Sequence, residues 1–320
     1  MQVRGASFLI TFRCSSKCDH CVYNAGPEQV GHISLDDAEQ WLSELAEHKQ
    51  FQWLTLHGGE PFLYLDDMKA ILTIAKELSI PRRGTITNGF WARTPLTSRK
   101  ILKELIEAGL NTITFSVDGF HQRYIDIRNV KFGIEAAVFH DIEKIWIDSY
   151  YIESLESENA YDQLTKESLT ELQDIEGVER SLYPVDFEGR GAKSLVGYAK
   201  TSPEIPDGKC VLPYWLGGDL RNPEVVEIDY EGNVTLCPGI CIGNAKRNSL
   251  SDFLNNYSYV NHPIIRILVE TGPIGLYQLA LQHGLEVESS FVNECHLCFE
   301  MRKLLHSQYP NYLTPSRCYQ

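Results

Sequence analysis

The stretch "SFLITFRCSSKCDHC", Ser7 to Cys21, joins an apolar, strand-like run to three cysteines that fall within eight residues of one another. Disulfide pairing leaves one of the three over, and closely spaced bridges suit short secreted proteins better than a chain of 320 residues. We therefore expect Cys14, Cys18 and Cys21 to hold a metal ion or a metal cluster, in the loop that leaves the first strand.

The composition limits the class of protein. With 43% hydrophobic and 22% charged residues, the chain is expected to bury a large core in one or two domains. The N-terminal apolar stretch is too short for a signal peptide, and no run approaches the roughly 20 apolar residues of a membrane span. The formal charge of -14 argues against a broad nucleic-acid surface. We expect a cytoplasmic protein without a membrane or nucleic-acid partner, whose nine cysteines serve as ligands or reactive thiols.

The first part of the chain alternates β-rich runs with helical patterns. Six strands and five helices are predicted; the strands lie at 7–12, 51–57, 84–90, 111–118, 144–152 and 178–186, and the helices at 34–48, 64–78, 97–110, 130–142 and 160–175. Ser34 with Asp37 resembles a helix-start capping pattern, and Gly109 ends the third helix. This βα repeat predicts an α/β fold with a parallel sheet, either doubly wound or curled into a partial barrel.

The repeat stops after Ala192, where a segment containing proline and glycine begins. A hairpin is then predicted, with strands at 225–230 and 233–237 around Glu231 and Gly232. We therefore predict a first domain over 1–192, a linker over 193–204 and a second domain over 205–320.

The cysteine spacing C-x3-C-x2-C resembles that of the radical S-adenosylmethionine (radical SAM) enzymes. Three thiolates at this spacing can hold three irons of a 4Fe-4S cubane and leave the fourth iron open. The resemblance implies a partial (β/α)6 barrel in which that iron binds the amino and carboxylate groups of S-adenosylmethionine (SAM). One-electron reduction then cleaves SAM and gives a 5'-deoxyadenosyl radical.

A second resemblance lies after the second predicted strand, in "HGGEPFLY". Gly58, Gly59, Glu60 and Pro61 match the GGEP element of the family. Glycines permit close approach of the backbone, and exposed carbonyls can accept hydrogen bonds from an ammonium group. The resemblance therefore implies that this loop binds the methionine part of SAM.

Polar residues also follow the third and fourth strands. Thr87 and Asn88 in "TNGFW" recur at this position in many family members, and Ser116 and Asp118 in "SVDG" are suited to hydrogen-bond the ribose of SAM. An ordinary alternative for Ser116 and Asp118 is that they cap the next helix.

Two further residues are implied in SAM binding. The segment "YPVDFEGRGAK" resembles the family's GRA element, so that Arg190 is predicted to contact SAM or the substrate. His20 stands where the family usually has a larger aromatic residue, and we expect it to pack against adenine rather than to bind iron.

The C-terminal part holds the other six cysteines. The fragment "GNVTLCPGICIGN" resembles the auxiliary-cluster extensions called SPASM or, in shortened form, twitch domains. The resemblance implies one auxiliary 4Fe-4S cluster held by Cys210, Cys237, Cys295 and Cys298. A structural zinc site is the alternative, because C-x2-C pairs serve zinc equally well.

Two thiols then remain, Cys241 and Cys318. Cys241 is a candidate hydrogen-atom donor, as in radical SAM peptide epimerases, or else a small buried residue or an alternative ligand. For Cys318 three alternatives stay open: it lies in a disordered terminus, it is a metal ligand, or it is a hydrogen-atom donor.

These resemblances predict a radical SAM enzyme that abstracts a hydrogen atom from a substrate. The substrate is expected to be a ribosomally made peptide that is epimerised or crosslinked, although the sequence contains nothing similar to a separate leader-peptide recognition domain. The alternatives are dehydrogenation of a small molecule and, from another class, a non-catalytic iron-sulfur or zinc scaffold. An electron donor such as flavodoxin or ferredoxin is implied as a partner.

Overall fold

The computed structural model describes residues 1–210 and 218–320. They form two compact units. The sheet unit comprises Ser7–Cys18 and Ala25–Val185, and the C-terminal unit comprises Met1–Ala6, Asp19–Asn24 and Asp186–Gln320. The domain ranges given above stay a prediction.

The sheet unit is built on six strands that neighbour one another in chain order. They are β1 (Gly5–Thr11), β2 (Trp53–Gly58), β3 (Arg82–Thr87), β4 (Thr112–Ser116), β5 (Lys144–Tyr151) and β6 (Glu179–Pro184). Strands β2 to β6 are parallel, with Leu56 opposite Thr85 and Phe115 opposite Ile147. Within this unit β6 pairs only with β5 among the described strands, so the sheet is open. The predicted α/β fold with a partial barrel is confirmed.

Helices follow the strands of the sheet unit, as the βα repeat predicts. They are α1 (Leu35–Ala46), α2 (Leu65–Glu77), α3 (Pro95–Ala108), α4 (Gly119–Gln122), α5 (Ile127–Phe139) and α6 (Ala160–Glu171), with a 3-10 turn over Pro61–Tyr64. The Ser34 side chain accepts a hydrogen bond from the Asp37 N–H at 3.1 Å, and Gly109 ends α3 with φ of 126°. Both local predictions are confirmed. They place the loops of interest at the carboxyl ends of the parallel strands.

The C-terminal unit combines short strands with helices. They are α7 (Gly191–Ser194), β7 (Gly218–Asp219), β8 (Asn222–Pro223), β9 (Val225–Asp229), β10 (Asn233–Cys237), β11 (Ile240–Asn244), α8 (Leu250–Asn255), α9 (Pro263–Glu270), α10 (Pro273–Gln282) and α11 (Glu294–Leu305); 3-10 turns lie at Val196–Tyr198, Tyr259–Asn261 and Ser316–Tyr319. The predicted hairpin is confirmed, because β9 and β10 pair antiparallel. Its turn is held by Asp229, whose carboxylate accepts from the N–H groups of Glu231 and Asn233 at 2.9 and 3.0 Å.

No helix within the described ranges combines the length and the apolar composition that crossing a membrane requires.

Candidate cofactor and cluster site

The glycine pair after β2 lies directly against the start of the cysteine loop. The Gly59 N–H donates to the Thr11 carbonyl at 2.7 Å, and the Glu60 N–H donates to the Arg13 carbonyl at 2.8 Å. A Cβ on Gly59 would lie 2.1 Å from the Arg13 oxygen, and Gly58 adopts φ of 138°. Side chains are therefore excluded at both positions, and the chain's own backbone makes the close approach that the glycines permit.

Glu60 is fully buried and joins this loop to the end of β3. Its carboxylate accepts from the Phe62 N–H at 3.1 Å, the Thr87 hydroxyl at 2.9 Å and the Asn88 N–H at 2.8 Å. Burial raises the pKa of Glu60 to about 7, although these hydrogen bonds work in the opposite direction. The residue holds two loops together from inside the unit.

Asn88 connects this hydrogen-bond network to the cysteine loop. Its side-chain amide donates to the hydroxyls of Ser15 and Ser16 at 3.0 and 3.4 Å and lies 3.8 Å from the Cys14 sulfur. The structure thus brings together Glu60, Asn88 and Cys14, three of the residues predicted to form the site.

An aromatic pair supports the same network and was not predicted. The indole N–H of Trp91 donates to the Thr87 hydroxyl at 3.0 Å, and its ring stacks on Phe62 with centroids 4.3 Å apart. Pro61 begins the 3-10 turn that carries Phe62. The motif "NGFW" gives a weak signal for this contact, because an aromatic residue follows a glycine turn at the sheet edge.

Asp118, after β4, caps a helix as the ordinary alternative suggests. Its fully buried carboxylate accepts from the N–H groups of Phe120 and His121 at 3.0 Å each, and one oxygen lies 2.9 Å from His121 Nδ1. Burial lowers the pKa of His121, but Asp118 and Cys18 outweigh it and hold this pKa well above its usual value. His121, which sequence reasoning missed, therefore connects Asp118 to a cysteine of the loop. Ser116 lies half-buried at the end of β4.

Arg190 and His20 belong to the C-terminal unit, together with Cys21. The Arg190 N–H donates to the Cys21 carbonyl at 3.0 Å. Gly189 adopts φ of 54°, and a Cβ there would lie 2.5 Å from the Val22 oxygen. The Gly-Arg-Gly turn therefore supports the Cys21 segment through its backbone, while the contact of the Arg190 side chain with SAM or substrate stays a prediction.

Four cysteines line one cavity of the C-terminal unit, which measures about 70 Å³. A cavity of roughly 10–15 Å³ holds one water, so this one has room for a larger group. The four are those predicted as auxiliary ligands, Cys210, Cys237, Cys295 and Cys298, and none of them is in a disulfide. Burial raises the pKa of all four thiols, and a bound metal removes that cost by stabilising the thiolates. By ligand type, four thiols that line one cavity suit either a 4Fe-4S cluster or zinc.

A buried ion pair, also missed from the sequence, borders this cavity. Glu188 lines it, and its carboxylate lies 3.1 Å from the guanidinium of the fully buried Arg302. Asp186 lines the cavity as well, and burial together with Glu188 raises its pKa to about 7. The only sequence signal for Arg302 is its place one helical turn after Cys298.

The two remaining thiols are both buried. The Cys241 thiol donates to the Gly243 carbonyl at 3.0 Å, and burial raises its pKa to about 11. Cys241 is not among the residues that line the cavity. Cys318 lies in the last 3-10 turn, which is held by Asn24, whose side-chain amide donates to the Arg317 carbonyl at 2.8 Å. The hydrogen-donor role stays a prediction for both cysteines.

Residues 8–138 match the sequence model of the Radical SAM superfamily. The chain is 24% identical over 187 residues to the putative peptide biosynthesis protein YydG of Bacillus subtilis (strain 168), over 58% of this chain and 56% of that protein. It is 29% identical over 139 residues to a GTP 3',8-cyclase of Syntrophomonas wolfei subsp. wolfei, over 42% of this chain and 41% of that protein. The chain thus spans about half the length of the curated relatives it matches.

Solved structures share the fold. The structure of native anSMEcpe with bound AdoMet and Cp18Cys peptide matches with a TM-score of 0.53 at 12% identity, over 96% of this chain and 97% of that one. BtrN in complex with AdoMet and 2-DOIA matches with a TM-score of 0.50 at 14% identity, over 85% of this chain and 89% of that one. The superfamily matched by sequence uses SAM and a 4Fe-4S cluster. Residues 8–138 of this chain are therefore similar in sequence to the radical SAM domains of that superfamily.

Proposed function

We propose that the chain is a radical SAM enzyme that modifies a ribosomally made peptide, by epimerisation or crosslinking. The superfamily match supports the class of reaction. The similarity to YydG, a protein named for peptide biosynthesis, supports the class of substrate.

One observation of the structure supports the radical SAM part of the proposal, the network that connects Glu60, Asn88 and Cys14. The GGEP loop, the Thr87–Asn88 turn and the cysteine loop are held in one arrangement by buried hydrogen bonds. Such an arrangement keeps the binding groups in place before a cofactor arrives.

In this proposal Cys14, Cys18 and Cys21 hold the first 4Fe-4S cluster. With SAM bound and one electron received from the reductant, that cluster would pass the electron to SAM, whose cleavage would give methionine and a 5'-deoxyadenosyl radical for hydrogen-atom abstraction. The carboxylates of Glu60 and Asp118 are both engaged with donors of their own loops, so we assign them to positioning the SAM-binding backbone.

The other residues named from the sequence keep their proposed places around SAM. Gly58, Gly59 and Pro61 shape the loop that receives the methionine part, Thr87 fixes Glu60, and Asn88 supports the cysteine loop. The groups proposed to face SAM directly are Ser116, His20 and Arg190.

We further propose that Cys210, Cys237, Cys295 and Cys298 hold one auxiliary 4Fe-4S cluster. Their convergence on one cavity supports this assignment. The proposed electron source is a small carrier such as flavodoxin or ferredoxin, in the reducing cytoplasm. Zinc is the alternative metal, and metal analysis separates the two.

Anaerobic reconstitution with iron, sulfide, SAM and dithionite tests the reaction class. We expect 5'-deoxyadenosine above the level of a control in which Cys14, Cys18 and Cys21 are all changed to Ala. A scaffold without catalysis would give equal, background amounts in both samples.

A substrate panel tests the peptide class. We expect synthetic peptides, rather than aminoglycoside-type amino alcohols, to stimulate 5'-deoxyadenosine formation. Turnover in deuterium oxide places one deuterium in an epimerised product, whereas a crosslinked product is about two mass units lighter. Stimulation by the amino alcohols alone would replace the peptide proposal with small-molecule dehydrogenation.

A further inference from the structure

Arg302 is a fully buried cation beside the cysteine-lined cavity. Its side chain is 0% exposed. It lies on α11 four residues after Cys298, so the two side chains share one face of the helix, and they are hydrogen-bonding neighbours. A charged group is rarely buried so completely unless it is paired or has a function.

The contacts of Arg302 place its charge near two of the four proposed ligands, Cys237 and Cys298. One terminal nitrogen donates to the Pro238 carbonyl at 2.6 Å, directly after Cys237, and to the Tyr319 hydroxyl at 3.2 Å. The other lies 3.1 Å from a carboxylate oxygen of Glu188. The guanidinium is thus fixed by groups from three separate parts of the chain.

Glu188 is directed toward the same cysteines. Its carboxylate lies 4.0 Å from the Cys237 sulfur, and the residue lines the cavity. Because both Glu188 and Arg302 are buried, water screens their charges only weakly. Any group held by the cysteines therefore experiences a positive charge from Arg302 and a negative charge from Glu188.

The charge of an iron-sulfur site makes its reduction potential sensitive to this ion pair. Four thiolates make a cubane site negative overall, and one-electron reduction adds a further negative charge. The reduction potential of such a site depends on its net charge, on hydrogen bonds to the sulfurs and on burial. A nearby cation stabilises the reduced state, and a nearby carboxylate destabilises it.

We propose that Arg302 and Glu188 set the reduction potential of the auxiliary cluster, with Arg302 raising it and Glu188 lowering it. The inference rests on the proposed function, because it takes Cys210, Cys237, Cys295 and Cys298 as the ligands of a 4Fe-4S cluster. The two side chains are not ligands; their charges determine how readily the cluster takes up one electron.

A redox titration followed by electron paramagnetic resonance tests the proposal on the full-length reconstituted protein. The auxiliary signal is the one that persists when Cys14, Cys18 and Cys21 are changed to Ala. We expect Arg302→Gln to lower its midpoint so that, at a fixed solution potential, the ratio of reduced to oxidised cluster falls at least tenfold. For one electron this is about 59 mV. Arg302→Lys keeps the charge and is expected to shift the midpoint less.

Glu188→Gln gives the opposite sign, because it leaves the guanidinium charge unbalanced. General damage to the fold would not move the two variants in opposite directions. The matched control is Arg266→Gln in the same unit, because the Arg266 side chain is 54% exposed and pairs with Glu270 on the surface. It removes the same charge and is expected to leave the midpoint unchanged.

The iron content distinguishes failure of this inference from failure of the auxiliary-cluster assignment. If every variant holds its auxiliary irons and the midpoints of Arg302→Gln and Glu188→Gln equal that of the control, the inference is wrong while the auxiliary cluster stands. If the wild-type protein holds zinc or no metal at the four cysteines, the cluster assignment and the inference both fail. If Arg302→Gln does not fold, the sign of the shift in Glu188→Gln decides.

Discussion

Two buried glutamates, one in each unit, differ in the partners that stabilise their carboxylates. Glu60 in the sheet unit is 0% exposed, and Glu188 in the C-terminal unit is 6% exposed. Glu60 is surrounded by neutral donors, two backbone N–H groups and one hydroxyl, whereas Glu188 faces the guanidinium of Arg302. Burial raises the pKa of both, and Arg302 opposes that rise at Glu188.

The difference separates two uses of a buried charge. A carboxylate that accepts from backbone N–H groups fixes the course of the chain through these hydrogen bonds. A carboxylate that is paired with a cation places two charges at defined points, and these charges act on their neighbours. Glu60 thus holds loops in place, whereas Glu188 and Arg302 together determine the electric field at the cysteine-lined cavity.

The largest effect is expected from removing the first cluster. Changing Cys14, Cys18 and Cys21 together to Ala should abolish 5'-deoxyadenosine formation and reduce the iron content from about eight to about four per chain. The reason is that the proposed auxiliary ligands are a different set of thiols. Iron analysis and product chromatography measure both quantities. A triple variant that retains one zinc and no iron would contradict the auxiliary 4Fe-4S assignment.

The next largest effect concerns the donors around Glu60. Glu60→Ala leaves the Phe62 and Asn88 N–H groups and the Thr87 hydroxyl without their acceptor inside the unit. We expect the free energy of unfolding to fall by at least about 3 kcal/mol, since each of the three unsatisfied buried donors costs roughly 1–3 kcal/mol. Urea unfolding of the metal-free protein measures it, and SAM affinity should fall in the reconstituted protein.

The control for this prediction is Glu77→Ala at the exposed end of α2. Its free energy of unfolding should stay within about 0.5 kcal/mol of wild type. Equal effects of the two variants would remove Glu60 from its supporting role.

A smaller effect is expected in the pH dependence of stability. The folded-state pKa of Glu60, about 7, lies above its ordinary value of 4.5, so the folded protein binds this proton more tightly than the unfolded chain does. The contribution of this proton to stability is full below pH 4.5 and is lost as the pH rises to 7. Wild type should therefore lose about 1–3 kcal/mol relative to Glu60→Gln between pH 5 and pH 8. Paired urea titrations at the two pH values measure this difference, and a constant difference would contradict it.

The smallest effect is expected at Cys241. Cys241→Ala removes one thiol hydrogen bond to the Gly243 carbonyl, so the free energy of unfolding should fall by only about 1 kcal/mol, with the iron content and 5'-deoxyadenosine formation unchanged. Loss of iron would make Cys241 a ligand. Loss of product with normal iron and normal 5'-deoxyadenosine would make it the hydrogen donor.

Local rules account for what the sequence predicted well. The Ser34 cap, the Gly109 stop and the hairpin around Gly232 depend on a few neighbouring residues, so their signals are complete within a short window. The rule that parallel strands present their carboxyl ends at one edge also placed Glu60 and Asn88 near the cysteine loop.

Contacts between distant residues account for what was missed. The Glu188 carboxylate lies near the Cys237 sulfur across 49 residues, and Arg302 reaches the Pro238 carbonyl across 64 residues. Neither pair leaves a periodic trace in the sequence. Helix α10, "PIGLYQLALQ", was missed for a different reason, since it is apolar on most sides and shows no clear amphipathic period.

The side chain of Asn24 links two parts of the chain that exchange experiments can follow separately. Its amide donates to the carbonyls of Arg317, Cys318 and Gln320, while its backbone ends the segment that carries Cys21. When that segment opens, the last turn loses these three hydrogen bonds in the same event and keeps its others, such as those to Glu231 and to the Gly239 carbonyl. Deuterium uptake at the final peptide, followed by mass spectrometry, is therefore expected to respond to opening of the Cys21 segment, without any probe on the cysteine itself.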